Sequence, residues 1–400
     1  MSDMIRAKIY TAPASQQAVT HFLSGHSVFN SPRYAVFPGF CDVHVHFREP
    51  GFSYKETIAT GCAASARGGY TDVCPMPNLN PVPNDLETLN VQRDIIKRDA
   101  TIHVHPYGAI TVDQKGEQEA DLDAMAPYVP GFSDDGHGVQ DRERMKAAML
   151  HAKALGKPIV AHCEDNTLLR GGYIHNGVYC ACHGHKGICS ESEWSQIARD
   201  LELVAETGCA YHVCHVSTKE SVAIIRQAKQ SGVNVTCETG PHYLVMDDSF
   251  LIEDGRFKMN PPLRDKSDRE ALIAGAQDGT IDCIATDHAP HSAEEKSRGL
   301  QKSAFGITGI ETAFPIVYTY LIKTGILTME RALEMLTTGP RNRFHIPADP
   351  GDFSVWDLEA DYAIDPRDFL SQGKATPFEG WKVNARCMAT VCDGKIVYQA

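Results

Sequence analysis

From residue 40 onward, short apolar runs alternate with amphipathic stretches. Runs at 40–47, 71–76, 101–109, 128–133, 158–163, 209–216, 232–238 and 280–286 read as strands. They are apolar at nearly consecutive positions, which fits strands buried on both faces. Between them, segments near 55–68, 85–99, 117–126, 141–156, 191–207, 218–231 and 268–278 carry apolar residues at helical spacing. A further helical stretch covers about 309–323, and 331–338 reads as a last helix before Gly339-Pro340. Glycine and proline mark the joints, as at Gly68-Gly69, Gly156-Lys157-Pro158 and Gly208. Strands separated by helices of this length predict βαβ units and a parallel sheet, and eight such units predict a closed (β/α)8 barrel.

The pattern changes at both ends. Residues 353–358 and 387–392 read as strands, and Asp393-Gly394 before Lys395-Ile396-Val397-Tyr398 is a hairpin signal. Residues 5–10 and 35–37 read as short strands, while 11–34 show no readable period. The predicted fold class is α/β. A TIM-type barrel takes 38–343, and a small β domain is built from 344–400 with part of 1–37.

The chemistry collects where barrel strands end. In a parallel barrel, catalytic groups come from the C-terminal ends of the strands and the loops after them. Strand one ends in Asp42-Val43-His44-Val45-His46-Phe47-Arg48. Alternation puts His44 and His46 on one face, opposite Val43, Val45 and Phe47. Strand four runs into Phe132-Ser133-Asp134-Asp135-Gly136, and strand five ends in His162-Cys163-Glu164-Asp165. Strand six ends in Cys214-His215-Val216-Ser217, and strand eight in Asp287-His288-Ala289-Pro290-His291. Taken singly, such a histidine is a core residue and such an aspartate a turn or cap residue. Five strand ends that all offer metal-ligand side chains argue for a metal centre. Strand periodicity does not choose between Asp134 and Asp135. Arg48 follows His46 on the same strand face, and its planar fork can take a carboxylate bidentately. The alternative is an ion pair with Glu49.

The net charge of −13 argues against a general nucleic-acid or membrane-surface binder. It also means that an anionic small-molecule substrate needs cations placed locally. No apolar run approaches the roughly 20 residues of a membrane span. The N-terminus lacks the order of a signal peptide, because Gln16, Gln17, His21 and Ser24 interrupt it. The 13 cysteines are an odd count, scattered through predicted strands, which points to reduced thiols and a cytoplasmic enzyme. Cys180-Ala181-Cys182-His183-Gly184-His185, followed by Cys189, has the composition of a separate zinc site. A border or lid of the active site is the other reading of that loop. A homodimer is expected only from base rates.

Together these motifs resemble the class I dihydroorotases of the amidohydrolase superfamily. The matching stretches are Pro38-Gly39-Phe40-x-Asp42-x-His44-x-His46-x-Arg48, Pro75-Met76-Pro77-Asn78, Phe132-Ser133-Asp134-Asp135-Gly136, Ala161-His162-Cys163-Glu164-Asp165, Cys214-His215-Val216-Ser217 and Ala285-Thr286-Asp287-His288-Ala289-Pro290-His291. They cover about 38–345, in family order. The resemblance implies two zinc ions per subunit. His44, His46 and Asp287 would hold one, His162 and His215 the other, with a strand-four carboxylate bridging. Many relatives bridge with a carbamylated lysine. Here Asp135 matches the bridging aspartate of this branch, with Asp134 as its structural neighbour. Asp287 would carry the catalytic proton. Arg48, Asn78 and His291 would hold a substrate carboxylate, and Asn260 with the backbone of Phe305-Gly306 would contact the ring ureide. Glu238 and His242, after strand seven, are expected to support the site through hydrogen bonds. The implied reaction is the reversible cyclisation of N-carbamoyl-L-aspartate to (S)-dihydroorotate, in pyrimidine biosynthesis. One alternative is another cyclic amidohydrolase: a hydantoinase, dihydropyrimidinase or allantoinase, which needs no carboxylate clamp. The other is a non-catalytic scaffold subunit, against which the complete ligand set argues.

Overall fold

In the computed structural model, which describes residues 5–400, the barrel strands are Phe40–Val45, Tyr70–Pro75, His103–Val104, Phe132–Ser133, Ile159–Ala161, Tyr211–Val213, Val235–Thr239 and Cys283–Ile284. Residues 1–4, the start of the expected N-terminal part of the small domain, lie outside the described residues. The strands form a three-stranded and a five-stranded sheet, parallel throughout. Isolated parallel bridges join the two seams, Gly108 to Phe132 and Val45 to His288. The expected barrel is thus closed. Several strands are shorter than the apolar runs that predict them.

Cys41, Val43, Cys74, Met76, Tyr107, Val160, Cys214 and Ala285 form one buried cluster. They come from around the whole barrel, so only its lumen can bring them together. Phe344 joins them and packs edge-on against Tyr107. Val45 and Phe47 belong instead to the cluster between strands and helices. Alternation alone grouped Val43 with them. A register shift between Asp42 and Val45 breaks the alternation, as bulges beside active sites do.

The helices follow the expected order with three differences. The stretch 117–126 is helical only over Leu122–Met125, because Asp121 caps it by accepting from the Ala124 N–H. The stretch 309–323 begins at Ala313 and ends in a π-helical turn, Tyr318–Ile322. Gly339-Pro340 does not end the chain's helices. It opens another, Thr338–Phe344, where a proline in the first turn loses no hydrogen bond. Arg341 of that helix is buried at the base of the barrel. It pairs with Asp72 at 2.5 Å and donates to the Gly39 and Pro347 carbonyls.

The remaining strands make a five-stranded sheet in the order Lys8–Ile9, Tyr34–Pro38, Phe353–Ala363, Lys382–Cys392, Lys395–Gln399. Residues 11–34, unreadable by period, contain the helix Gln16–Gly25. Its Val19, Phe22 and Leu23 pack on Val36, Phe353, Val355 and Val391 of the sheet. Trp356, fully buried, packs from the sheet in tilted contacts against Phe314 and Phe40 of the barrel. No helix among the described residues is long and apolar enough to cross a membrane.

Candidate active site

Strand one, the loops after strands four, five and six, and the end of strand eight aim His44, His46, Asp135, His162, His215 and Asp287 at one point. His46 Nε2 lies 3.0 Å from Asp287 Oδ1 and 3.5 Å from Asp135 Oδ2. His44 Nε2 lies 3.4 Å from both Asp135 Oδ1 and Asp287 Oδ1. His215 Nε2 and His162 Nδ1 approach Asp135 Oδ1 to 3.6 and 3.7 Å. Asp135 therefore sits between two groups of imidazoles. Asp134 does not. It turns away and accepts from the Ile110 and Thr111 amides and the Thr111 hydroxyl.

These residues fit a metal centre because their free lone pairs face one another. Glu238 Oε1 lies 2.5 Å from His44 Nδ1, so that nitrogen donates and Nε2 presents a lone pair. Asn78 Oδ1 takes the His46 Nδ1 proton at 3.0 Å in the same way. Glu164 Oε2, 3.4 Å from His162 Nε2, leaves Nδ1 as that ring's inward atom. Buried His44 Nε2 and Asp135 Oδ1 have no hydrogen-bond partner among the described residues. Two acceptors at 3.0 Å, such as His46 Nε2 and Asp287 Oδ1, repel unless a cation lies between them. The ligand atoms group as His44, His46, Asp287 and as His44, Asp135, His215, each set within 4.8 Å. Burial by itself would raise the Asp135 carboxyl, yet positive charge at His44 and the other rings, a proton or a shared cation, holds it well below the usual carboxylate range. The same charge at His44 and His46 lowers Asp287 against burial.

Three residues of the site have left-handed backbone: Arg48 (φ 59°), His215 (φ 32°) and Asp287 (φ 47°). Such conformations cost roughly 1–3 kcal/mol each and persist where the surroundings hold them. Arg48 therefore reaches the cleft by a turn after the strand, not by the strand alternation read from the sequence. Arg48, Asn78, Asn260, His291, Phe305 and Gly306 line the same cleft as the metal-ligand candidates. Arg48 does not pair with Glu49, whose carboxylate accepts from the Ile58 amide. His291 Nε2 lies 2.7 Å from the Phe305 carbonyl, which can only accept, so Nε2 is protonated. The guanidinium 3.3 Å away then gives no N–H to that ring, and its terminal N–H groups stay available to a ligand. Burial, with Arg48, Lys55 and Lys296 nearby, brings His291 down to about 3, so it is neutral at working pH.

Sequence reasoning gave Glu164 no role, although it lies two residues beyond His162 and its carboxylate binds both that ring and Asn260 Nδ2. Asp42 lies in the strand-one motif. It joins strands one and eight by accepting from the Thr286 amide and hydroxyl and from the His44 amide. His242 is buried, with Nε2 unpartnered. The cysteine- and histidine-rich loop does not converge: Cys180 donates to the His185 carbonyl, His183 bonds the Tyr179 carbonyl, and Cys182 is exposed. His103, Cys392 and Asp393 form another potential ligand group. There, however, the imidazole and the thiol both bond to Asp352, so neither is left waiting for an ion.

The model of the dihydro-orotase-like family matches residues 34–221. A dihydroorotase of Fusobacterium nucleatum is 51% identical over 370 residues, 91% of this chain and 87% of that protein. One of Bacillus cereus is 50% identical over 372 residues, with the same coverage of 91% and 87%. Among solved structures, an L-hydantoinase (dihydropyrimidinase) from Arthrobacter aurescens superposes with a TM-score of 0.81 at 25% identity, over 91% of this chain and 85% of that one. A dihydropyrimidinase from Brevibacillus agri gives 0.79 at 22% identity over 92% and 85%, a likeness of fold alone. With half of its residues identical across nine-tenths of its length, the chain belongs to the dihydroorotase family of metal-dependent amidohydrolases.

Proposed function

We infer that the protein interconverts N-carbamoyl-L-aspartate and (S)-dihydroorotate in pyrimidine biosynthesis, using two zinc ions per chain. Beyond the family match, the observation that supports this substrate is Arg48, buried in the cleft beside the ligand cluster. A guanidinium there suits a ring that carries a carboxylate, whereas a hydantoin needs none. The thirteen cysteines, all free, suit a reducing compartment such as the cytoplasm.

In this reading His44, His46 and Asp287 would hold one ion and His162 and His215 the other, with the Asp135 carboxylate shared between the two groups. Bound ions supply Lewis acidity toward the substrate carbonyl and lower the pKa of water from 15.7 to about 7. The chain does the rest. Arg48 takes the substrate carboxylate, with Asn78 and neutral His291 beside it. Asn260 and the Phe305–Gly306 backbone meet the ureide. Asp287, held ionised, takes the proton of the attacking water and delivers it to the ring nitrogen as the amide bond breaks. In the cyclising direction the same carboxylate removes a proton from the ureido nitrogen. Ring opening creates a second carboxylate and releases a proton, so synthesis is favoured at lower pH.

The test is metal content measured on the same preparation as dihydroorotate hydrolysis followed in the ultraviolet. Two zinc equivalents with turnover that falls on chelation and returns on reloading are expected. One tightly held ion would refute the two-ion centre, and metal-replete protein inactive on both substrates would refute the assignment.

A further inference from the structure

Lys296 has entered no step so far. It lies in the strap that follows His291, buried at 7% exposure. Its ammonium donates to three main-chain carbonyls, those of Lys258 at 3.0 Å, Ala304 at 2.8 Å and Gly306 at 2.6 Å. An ammonium has three donors, and all three are used. Burial, and then Lys258, push its pKa down to about 7, with Asp254 and Glu295 acting the other way. The carbonyl dipoles favour the charged form, which is how a buried ammonium becomes tolerable.

The three carbonyls belong to the two segments that border the cleft. Lys258 precedes Asn260 by two residues, and Ala304 and Gly306 flank Phe305. The Gly306 amide also donates to the Lys258 carbonyl at 3.1 Å. Gly306 has φ +130°, and a Cβ there would fall 2.7 Å from that of Ala289, so only glycine fits at this position. His291 takes the Phe305 carbonyl. With both Gly306 groups engaged, the Phe305 N–H is the donor of this pair with no partner among the described residues. Across the rim, Asn260 Oδ1 is a buried acceptor with no partner. One free donor and one free acceptor match the C=O and N–H of a ureide.

Resting on the dihydroorotase reading, we propose that Lys296 is a positioning residue: its ammonium staples segments 258–260 and 304–306 into one rim, fixing the Phe305 amide and the Asn260 carboxamide for the ureide end of the substrate. It touches no reacting atom. Its loss acts on binding more than on chemistry.

The experiment compares full-length, metal-loaded wild type with Lys296→Met and Lys296→Arg by steady-state kinetics in both directions and by hydrogen exchange of peptides spanning 303–308. In Lys296→Met, the Ala304 and Gly306 amides exchange at least about tenfold faster, KM for both substrates rises about tenfold, and kcat moves less than about threefold. Metal content stays at the wild-type value. Lys296→Arg keeps the charge but cannot seat a planar fork on three converging carbonyls, so it falls between the two. Folded Lys296→Met with wild-type exchange and KM overturns the proposal, as does a fall in kcat alone. If Lys296→Met does not fold, Lys296→Arg decides by the same readouts, wild-type values again overturning it. A wild type inactive on dihydroorotate would sink the functional reading instead. The exchange comparison, which needs no turnover, would then decide the staple by itself.

Discussion

Arg48 is, in the proposed reading, the side chain that selects a substrate with a carboxylate. Its left-handed backbone turns it into the cleft, and its Nε donates to the Pro290 carbonyl at 3.3 Å. Hydrogen bonds to a charged group contribute roughly 1.5–3 kcal/mol, so Arg48→Ala should lower kcat/KM for dihydroorotate about 10- to 100-fold. Slow turnover of an uncharged hydantoin, where present, should change little. Equal losses on both rings would contradict the carboxylate role. Glu238 acts one layer further out. Its Oε1 sets the tautomer of His44 and its Oε2 lies 3.0 Å from His212 Nε2. Glu238→Gln keeps the shape and loses the charge, and metal affinity should drop about 10- to 100-fold in a chelator competition. Unchanged affinity would show that the rings orient themselves. Both residues were visible as types in the sequence. Their partners, Pro290 and His212, were not, because each contact joins two different elements, whose pairing no local period reports.

At the scale of elements, the helix Thr338–Phe344 locks the base of the barrel. Its Arg341 reaches Asp72 of strand two, whose other oxygen lies 3.0 Å from His105. Removing one partner of a buried pair costs about 3–5 kcal/mol, so Arg341→Met should be destabilised by about that much in urea unfolding. The active site lies at the opposite end of the strands. At low temperature, kcat/KM of the folded variant should therefore equal that of wild type, and a fall would mean that base and mouth are coupled. The elements themselves were largely legible, because strand and helix periods report local burial. The readings that failed did so for tertiary reasons. Gly339 sits against the Asp282 carbonyl, where only a glycine fits, and so lets a helix run where sequence marked a stop. Gln16–Gly25 escaped notice because its apolar face is short and gains meaning only from the sheet beneath it.

At the scale of the whole molecule, His103 sits where barrel and small sheet meet. It hydrogen-bonds Asp352 and lies 3.6 Å from Asp393 of the terminal hairpin. Asp352, then Cys392, raise it to about 11. A folded pKa above the unfolded value of about 6.5 means that the native state alone holds the proton between those limits. The contribution is complete below about pH 6.5 and is lost as pH rises toward 11. Urea midpoints of wild type should therefore fall more steeply from pH 6.5 to 10 than those of His103→Gln. Parallel profiles would refute the linkage. The sequence by itself determined the number and order of the strand–helix units and the chemistry offered at their ends, because burial period and residue type are local properties. Tertiary structure decided which of Asp134 and Asp135 faces the imidazoles, how Arg48, His215 and Asp287 turn inward, and what Glu238 and Lys296 hold. The physical reason is that a side chain beyond a strand's end is aimed by groups on other elements of the fold, which no local period can encode.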